Sequence, residues 1–209
     1  GIPIVEDDVY GDLYFNHERP KPLKSFDTKD NILYMNSLSK TVSPGLRVGW
    51  IVAKPSVAAH LADLKMQNDY GASSISQYIA IQWLTHPQYH DQHLKMLKNQ
   101  LLIKRNLFLE SLKRYFSDFG SWSTPEGSFY IWFQFKFSID MKRLFDEAIA
   151  ENILINPGEV YDKDARDCIR FSYAYIDAED IDATLKHLSK IIQTRFTPPS
   201  SHIGKGNHG

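Results

Sequence analysis

Apolar residues along the chain follow two different periods. Three short runs, Ile2 to Val5, Ile32 to Met35 and Val48 to Ala53, are bounded by polar or turn residues and predict three strands. From Pro55 the period lengthens. Val57, Leu61, Leu64 and Met66 recur at helical spacing, so a helix opens at a proline suited to its first turn and closes near Tyr70-Gly71. A second helix is expected from Ser74 to Leu84. Between Tyr89 and Phe116, leucines at 94, 97, 101, 102, 107, 109 and 112 alternate with Lys, Arg and Gln, and no Gly or Pro interrupts. This is one long amphipathic helix. It leaves one strand region and enters another, so a lobe boundary is placed inside it.

Beyond Pro125-Glu126-Gly127, the alternation of aromatic and polar residues from Phe129 to Phe137 predicts a strand, and Met141 to Glu151 a helix. Ile153 to Ile155 and Ile169 to Tyr173 read as two further strands. Ala178 to Thr194 reads as a closing helix with Ile181, Leu185, Leu188, Ile191 and Ile192 turned inward. The expected division is residues 1–100, residues 101–196 as a small α+β lobe, and a tail at 197–209. That tail is rich in Pro, Ser, Gly and His, lacks the apolar surface to offset ordering entropy, and is expected to be disordered.

Composition acts mainly by exclusion. Apolar residues make up 43% of the 209, enough for a real core, and 24 basic against 25 acidic residues leave no electrostatic footprint for nucleic acid or anionic lipid. The single cysteine, Cys168, rules out an internal disulfide and a cysteine-rich zinc site. No run approaches a membrane span and no leader pattern opens the chain, so a cytoplasmic location is expected. The chain begins on Gly-Ile-Pro-Ile-Val-Glu-Asp-Asp, a strand running straight into acids, which reads as the middle of an α/β unit and hence as a fragment.

Candidate chemistry gathers in two places. A lysine after a strand is ordinarily a surface charge. Lys40, however, is flanked by the hydroxyls of Ser37 and Ser39, and Arg47 follows across a Pro-Gly turn. Hydroxyls and a guanidinium suit a phosphate monoester, and a lysine held in a dry cationic pocket becomes a competent Schiff-base nucleophile. Upstream, Glu6-Asp7-Asp8-Val9-Tyr10 lies just past a strand, where open α/β sheets bind ligands. Adjacent acids there ordinarily form a solvated turn, but a pyridine cofactor needs one carboxylate on its ring nitrogen. Asp7 is the candidate, with Tyr10 placed to reach the cofactor's phenolate oxygen. Histidines 86, 90, 93 and 187 form no compact ligand spacing with carboxylates except His86-x3-His90, which reads as helix surface, so no metal site is expected; Trp83, Trp122 and Trp132 are expected in the core.

Asp7 and Tyr10, followed by Ser37-x-Ser39-Lys40, Arg47 and Gly49-Trp50, resemble the cofactor half-site of class I/II aminotransferases of fold type I. The resemblance runs over nearly all of residues 1 to 196. It implies an α/β fold: the C-terminal part of a three-layer, mostly parallel large domain, plus a small α+β domain. It further implies pyridoxal 5'-phosphate as cofactor, with Lys40 as its covalent anchor and proton shuttle. Asp7 would then sit on the pyridine nitrogen, Tyr10 on O3′, and Ser37, Ser39 and Arg47 on the phosphate. Pro125 to Phe129 resembles the turn into the small domain, with Ser128 in place of a second glycine. Ile169-Arg170-Phe171-Ser172-Tyr173 resembles the strand whose arginine grips the α-carboxylate of an amino acid or 2-oxo acid. The family is homodimeric, which makes Tyr70, Ser73 and Ser74 candidates for the partner subunit's site. Family features preceding Gly1 would be needed to complete a site.

A finer resemblance lies in Leu64 to Gln77 and in Ile155-Asn-Pro-Gly-Glu-Val-Tyr161, which are similar to regulators of the MocR type in the GntR family. Those carry a winged helix-turn-helix ahead of an aminotransferase-like effector domain, so DNA would be met only through an upstream part. The alternatives are a piece of a free-standing aminotransferase and a fragment that binds nothing.

Overall fold

The computed structural model describes residues 2–15 and 18–196; the tail expected at 197–209 lies outside them. The chain divides into two compact units. One comprises the residues up to Leu102 together with Glu126–Ser128, the other Ile103–Pro125 and the residues from Phe129 onward.

The first unit is built on β1 (Ile4–Asp7), β2 (Ile32–Ser37) and β3 (Gly49–Val52), in that spatial order. β1 runs parallel to β2, with Ile4 opposite Ile32 and Asp7 opposite Met35; β3 returns antiparallel. Gly49 lies so near β2 that a Cβ there would sit 2.8 Å from the Asn36 carbonyl oxygen. Three helices follow, α1 (Pro55–Asp69), α2 (Ser74–Leu84) and α3 (Pro87–Tyr115), the last passing from one unit into the other. The α1–α2 link is made by Tyr70 in the left-handed region and by the Ser73 hydroxyl, which accepts the Ser76 N–H as an N-cap.

The second unit holds an antiparallel sheet in the order β4 (Gly120–Trp122), β5 (Tyr130–Phe135), β6 (Cys168–Ser172), with α4 (Met141–Ala150) and α5 (Ile181–Arg195). Alternation along β5 sends Ile131, Phe133 and Phe135 into the core and leaves Tyr130 and Trp132 on the other face. Phe133 is the hub. Its ring lies 5.5 Å from that of Phe116, 4.9 Å from Phe135 and 5.9 Å from Phe171, mostly edge to face. The start of α5 is tied to α3 through Asp182, which accepts from Ser111, Arg114 and Tyr115. Hydrogen bonds from Ser111 and Tyr115 hold its carboxyl below the usual carboxylate range.

Two expectations change. Ile153 to Ile155 is not a strand; the segment meets β6 only through the Asn156 carbonyl, which accepts the Arg170 N–H, and an isolated Pro157–Ile169 bridge. Pro157 has no N–H to extend the ladder. Nor are the three tryptophans core residues: each is half-buried, with Trp122 stacked on Phe133 and Trp83 set edge-on against His93.

Burial is unequal between the units. Helix α1 buries no residue and α2 only Ala80, whereas α5 buries six of its fifteen. A three-stranded sheet has two faces and two open edges, and Val5, Ile51 and Val52 remain exposed on it. The packing therefore predicts that Phe133→Ala destabilises the chain by about 3–5 kcal/mol. Ile75→Ser, at a residue 75% exposed, should change stability by less than about 0.5 kcal/mol. Urea denaturation of both variants checks the contrast.

Candidate functional site

Because β1 and β2 are parallel, their C-terminal ends open at the same edge of the sheet. The Asp8 N–H donates to the Met35 carbonyl at 3.0 Å, and the chain then turns through Gly11 and Leu13, whose N–H groups bond to the Asp8 and Tyr10 carbonyls. The two adjacent acids are thereby sorted. Asp8 accepts the Tyr34 hydroxyl at 2.8 Å and Nη2 of Arg19 at 2.5 Å. Arg19 also holds Asp12 at 2.6 Å, and Asn36 donates to the Tyr34 oxygen at 2.9 Å. Burial pushes the Tyr34 phenol up; the Asn36 donation opposes this and Asp8 reinforces it. Asp7, by contrast, is exposed and among the described residues accepts the Val9 N–H alone, at 3.4 Å. It lines a cavity of about 540 Å³ with Ser37, Gly49 and Trp50.

Lys40 lies in the turn after β2. Its backbone surroundings are firmly held: Leu38 donates to the Val48 carbonyl, and Val42 and Ser43 both donate to that of Leu38. Ser37 Oγ lies 2.8 Å from Ser39 Oγ and accepts the Ser39 N–H at 3.1 Å. The Lys40 side chain is half-buried, is in no ion pair among the described residues, and carries its Nζ 5.6 Å from the centroid of the Tyr10 ring. The carbonyl of the next residue, buried Thr41, accepts a hydrogen bond from His93 Nε2 at 2.8 Å. A carbonyl only accepts, so Nε2 carries the proton. Arg47 adopts φ 53° and donates to the Pro44 carbonyl at 3.2 Å. The structure thus brings Lys40 to Tyr10, Asp7 to Ser37 in one cavity, and Ser39 to Ser37, while Lys40, Tyr10, Ser39 and Arg47 do not line that cavity and the Arg47 guanidinium is bonded within its own turn.

The turn at Pro125 to Phe129 is shaped by close approach. Ser128 donates its N–H to the Leu13 carbonyl and Phe15 donates to Glu126. A Cβ on Gly127 would lie 2.3 Å from the Leu13 oxygen. Ser128 stands at φ 70°, so the left-handed backbone is kept although the residue is not glycine. Among the residues that could serve a partner subunit, Tyr70 is 87% exposed and Ser73 and Ser74 are exposed, with the Ser73 hydroxyl occupied as a cap.

In the second unit Arg170 lies over two tyrosine rings. Its Cζ lies 3.9 Å from the Tyr130 ring centroid and 3.8 Å from that of Tyr161. Its Nε is buried with no hydrogen-bond partner among the described residues, as is the Ser172 hydroxyl two residues along the same face of β6. Both side chains line a cavity of about 530 Å³ together with Asn156.

Arg19, Tyr34, Asn36, Tyr130, Tyr161 and Ser172 carry no expected role from the sequence, and His93 is expected only not to bind a metal. Tyr34 and Asn36 could have been found from the period of two that sets them beside Asp8. Arg19 and His93 reach their partners across long sequence separations, which leave no local signal.

The chain matches the aminotransferase class I and II family model over residues 1–188. It is 43% identical over 185 residues to an uncharacterized HTH-type transcriptional regulator, YisV, of Bacillus subtilis, covering 88% of this chain and 38% of that protein. It is 40% identical over 181 residues to the HTH-type transcriptional regulator NorG of Staphylococcus aureus, covering 86% and 40%. Among solved structures it is similar to the kynurenine aminotransferase of Pyrococcus horikoshii at TM-score 0.87 and 26% identity, over 94% of this chain and 49% of that one. It is likewise similar to LysN, the alpha-aminoadipate aminotransferase of Thermus thermophilus, solved with N-(5'-phosphopyridoxyl)-L-leucine: TM-score 0.85, 26% identity, 91% and 50%. The chain therefore spans about two fifths of the length of these curated relatives.

The polar scaffold under Asp7 yields one prediction. Tyr34→Phe deletes the hydroxyl shared by Asp8 and Asn36 and leaves the buried Asn36 amide short of an acceptor, a loss of about 1–3 kcal/mol. Chemical denaturation of the variant against the parent measures it.

Proposed function

Because this chain belongs to the aminotransferase class I and II family, we propose that residues 1–100 are the C-terminal part of a pyridoxal 5'-phosphate-binding large domain. Residues 101–196 would be its small α+β domain, and the whole would serve as the ligand-sensing half of a MocR/GntR-type transcriptional regulator. The observation that carries the cofactor reading is the state of Lys40. Held half-buried in the turn after β2, Lys40 is in no ion pair among the described residues and carries its Nζ over the face of the Tyr10 ring, which leaves its amine available as a nucleophile.

The donor set fits the group. Pyridoxal phosphate, when bound, supplies an aldehyde and an electron-accepting ring. Lys40 Nζ would form the covalent anchor and move the α-proton of an amino acid. Asp7, left out of the Asp8–Arg19 ion pair, would hold a proton on the pyridine nitrogen; Tyr10 would donate to O3′. The neighbouring hydroxyls of Ser37 and Ser39, with Arg47, would hold the phosphate. Arg170, whose buried Nε has no acceptor, would grip the carboxylate of an amino acid or 2-oxo acid. Tyr70, Ser73 and Ser74, all exposed, would serve the site of a second copy in a homodimer.

The regulator reading is favoured by the higher identity with HTH-type regulators than with solved aminotransferases. DNA would then be bound by an upstream winged helix-turn-helix, in the cytoplasm. A free-standing aminotransferase is the second reading, favoured by the structural neighbours, and the gene sequence upstream of residue 1 decides between them. No helix among the described residues is long and apolar enough to cross a membrane.

In the full-length parent, Lys40→Ala should abolish the borohydride-reducible pyridoxal phosphate adduct; a stoichiometric adduct in that variant would contradict the assignment. Arg170→Ala should weaken amino-acid binding about 10- to 100-fold while the cofactor stays bound, as expected for a charged hydrogen-bonding partner. Calorimetric titration of the cofactor-loaded protein with a panel of amino acids provides the measurement.

A further inference from the structure

We propose that Tyr161, with Tyr130 on the opposite side, is a positioning residue. It clamps the Arg170 guanidinium so that only its in-plane edge is open, which makes the site select a planar carboxylate over a tetrahedral anion. The proposal rests on the reading of Arg170 as a carboxylate-binding residue and adds to it the source of its selectivity.

The geometry is that of a flat cation between two flat rings. The Arg170 Cζ lies over the Tyr130 ring at 3.9 Å from its centroid and over the Tyr161 ring at 3.8 Å, and the clamp assigns each ring one face of the guanidinium. All of its N–H bonds point outward in one plane. Any acceptor must therefore arrive in that plane. The two oxygens of a carboxylate lie in a plane and match a pair of adjacent N–H groups. A phosphonate or sulfate must carry its third oxygen out of the plane, towards a tyrosine face. The Nε is buried without a hydrogen-bond partner among the described residues, so this part of the guanidinium is already withdrawn from water. Ser172, which faces Tyr130 across the ladder, adds a second buried hydroxyl without a partner on the same face of β6.

The clamp is built by the segment Asn156-Pro-Gly-Glu-Val-Tyr161. Gly158 opens a single 3₁₀ turn and packs so tightly that a Cβ there would sit 2.6 Å from the Ala165 carbonyl oxygen. Tyr161 closes that turn. Trp132, which faces Arg170 in the β5–β6 register, stands edge-on to Tyr161 at 6.5 Å and supports the ring from the sheet. Rotation of the guanidinium out of its plane would have to displace two rings.

The test uses the full-length parent labelled with ¹⁵N-arginine. The Arg170 Nε–H resonance is assigned by its disappearance in Arg170→Lys. Sodium acetate and methylphosphonate serve as the planar and tetrahedral probes. In the parent, acetate should shift this resonance with an affinity about tenfold above that of methylphosphonate, because both probes can pair two oxygens in the plane but only the tetrahedral one carries further atoms towards the tyrosine faces. Tyr161→Leu should weaken acetate about three- to tenfold, the worth of one ring face on a desolvated cation, and bring the two affinities together. It should also speed exchange of the Nε proton with water. Tyr161→Phe, which keeps the ring, should behave as the parent. Tyr161 is 45% exposed at the end of a turn, so its truncation leaves the core in place; Tyr130→Leu, removing the other face, should give the same changes independently. If Tyr161→Leu and Tyr130→Leu leave the affinity ratio and the exchange rate unchanged, the clamp is refuted while the Arg170 reading survives. If acetate fails to shift the resonance in the parent, Arg170 is not a carboxylate site and the proposal falls with it.

Discussion

The parallel pairing of β1 with β2 is the constraint on which the candidate site depends. Two parallel strands end at the same edge, so the residues leaving β1 after Asp7 and those leaving β2 after Ser37 emerge side by side. That single register brings an exposed carboxylate and the Ser37 hydroxyl, itself bonded to that of Ser39, to one cavity and sets an amine over a phenol ring. It also decides between neighbouring acids. Successive side chains of a strand point to opposite faces, so Asp8 falls to the face of Tyr34 and Asn36 and becomes structure, while Asp7 falls to the cavity.

Charge is handled economically around this edge. The strongest ion pairs, Arg19 with Asp8 and Asp12, are spent on holding the turn after β1. His93 holds the turn after β2 by its bond to Thr41. What is fixed in both cases is backbone, and the lysine between these anchors is in no ion pair among the described residues. The same separation recurs at Arg170, whose orientation comes from ring faces that leave its hydrogen-bonding edge uncommitted. The second unit, with its aromatic core around Phe133, supplies rigid support for that arginine. The first unit carries much of its apolar surface in contact with solvent, and the chain spans about two fifths of its curated relatives.

Much of this was legible in the sequence because it depends on local period. Helix α2 begins and ends at the residues that its spacing predicts, and β2 and β6 differ from expectation by a residue or two. Lys40, Asp7 and Arg170 stood out through their neighbours. What was not legible depends on geometry that period cannot encode. Pro157 broke an expected strand because one missing N–H ends a ladder. β4, three residues of Gly-Ser-Trp, is too short to show alternation. The left-handed backbone at Ser128 was foreshadowed only by the glycine whose place it takes. The stacking of Tyr130 and Tyr161 on Arg170 joins residues from three separate segments, and no spacing announces it.

The most direct test of the account is to reduce the cofactor-loaded full-length parent with borohydride, digest it, and locate the phosphopyridoxyl group by mass spectrometry. The account predicts the added mass on the peptide containing Lys40 and on that lysine alone. The mass on any other lysine, or on none in a protein that has taken up the cofactor, would contradict it.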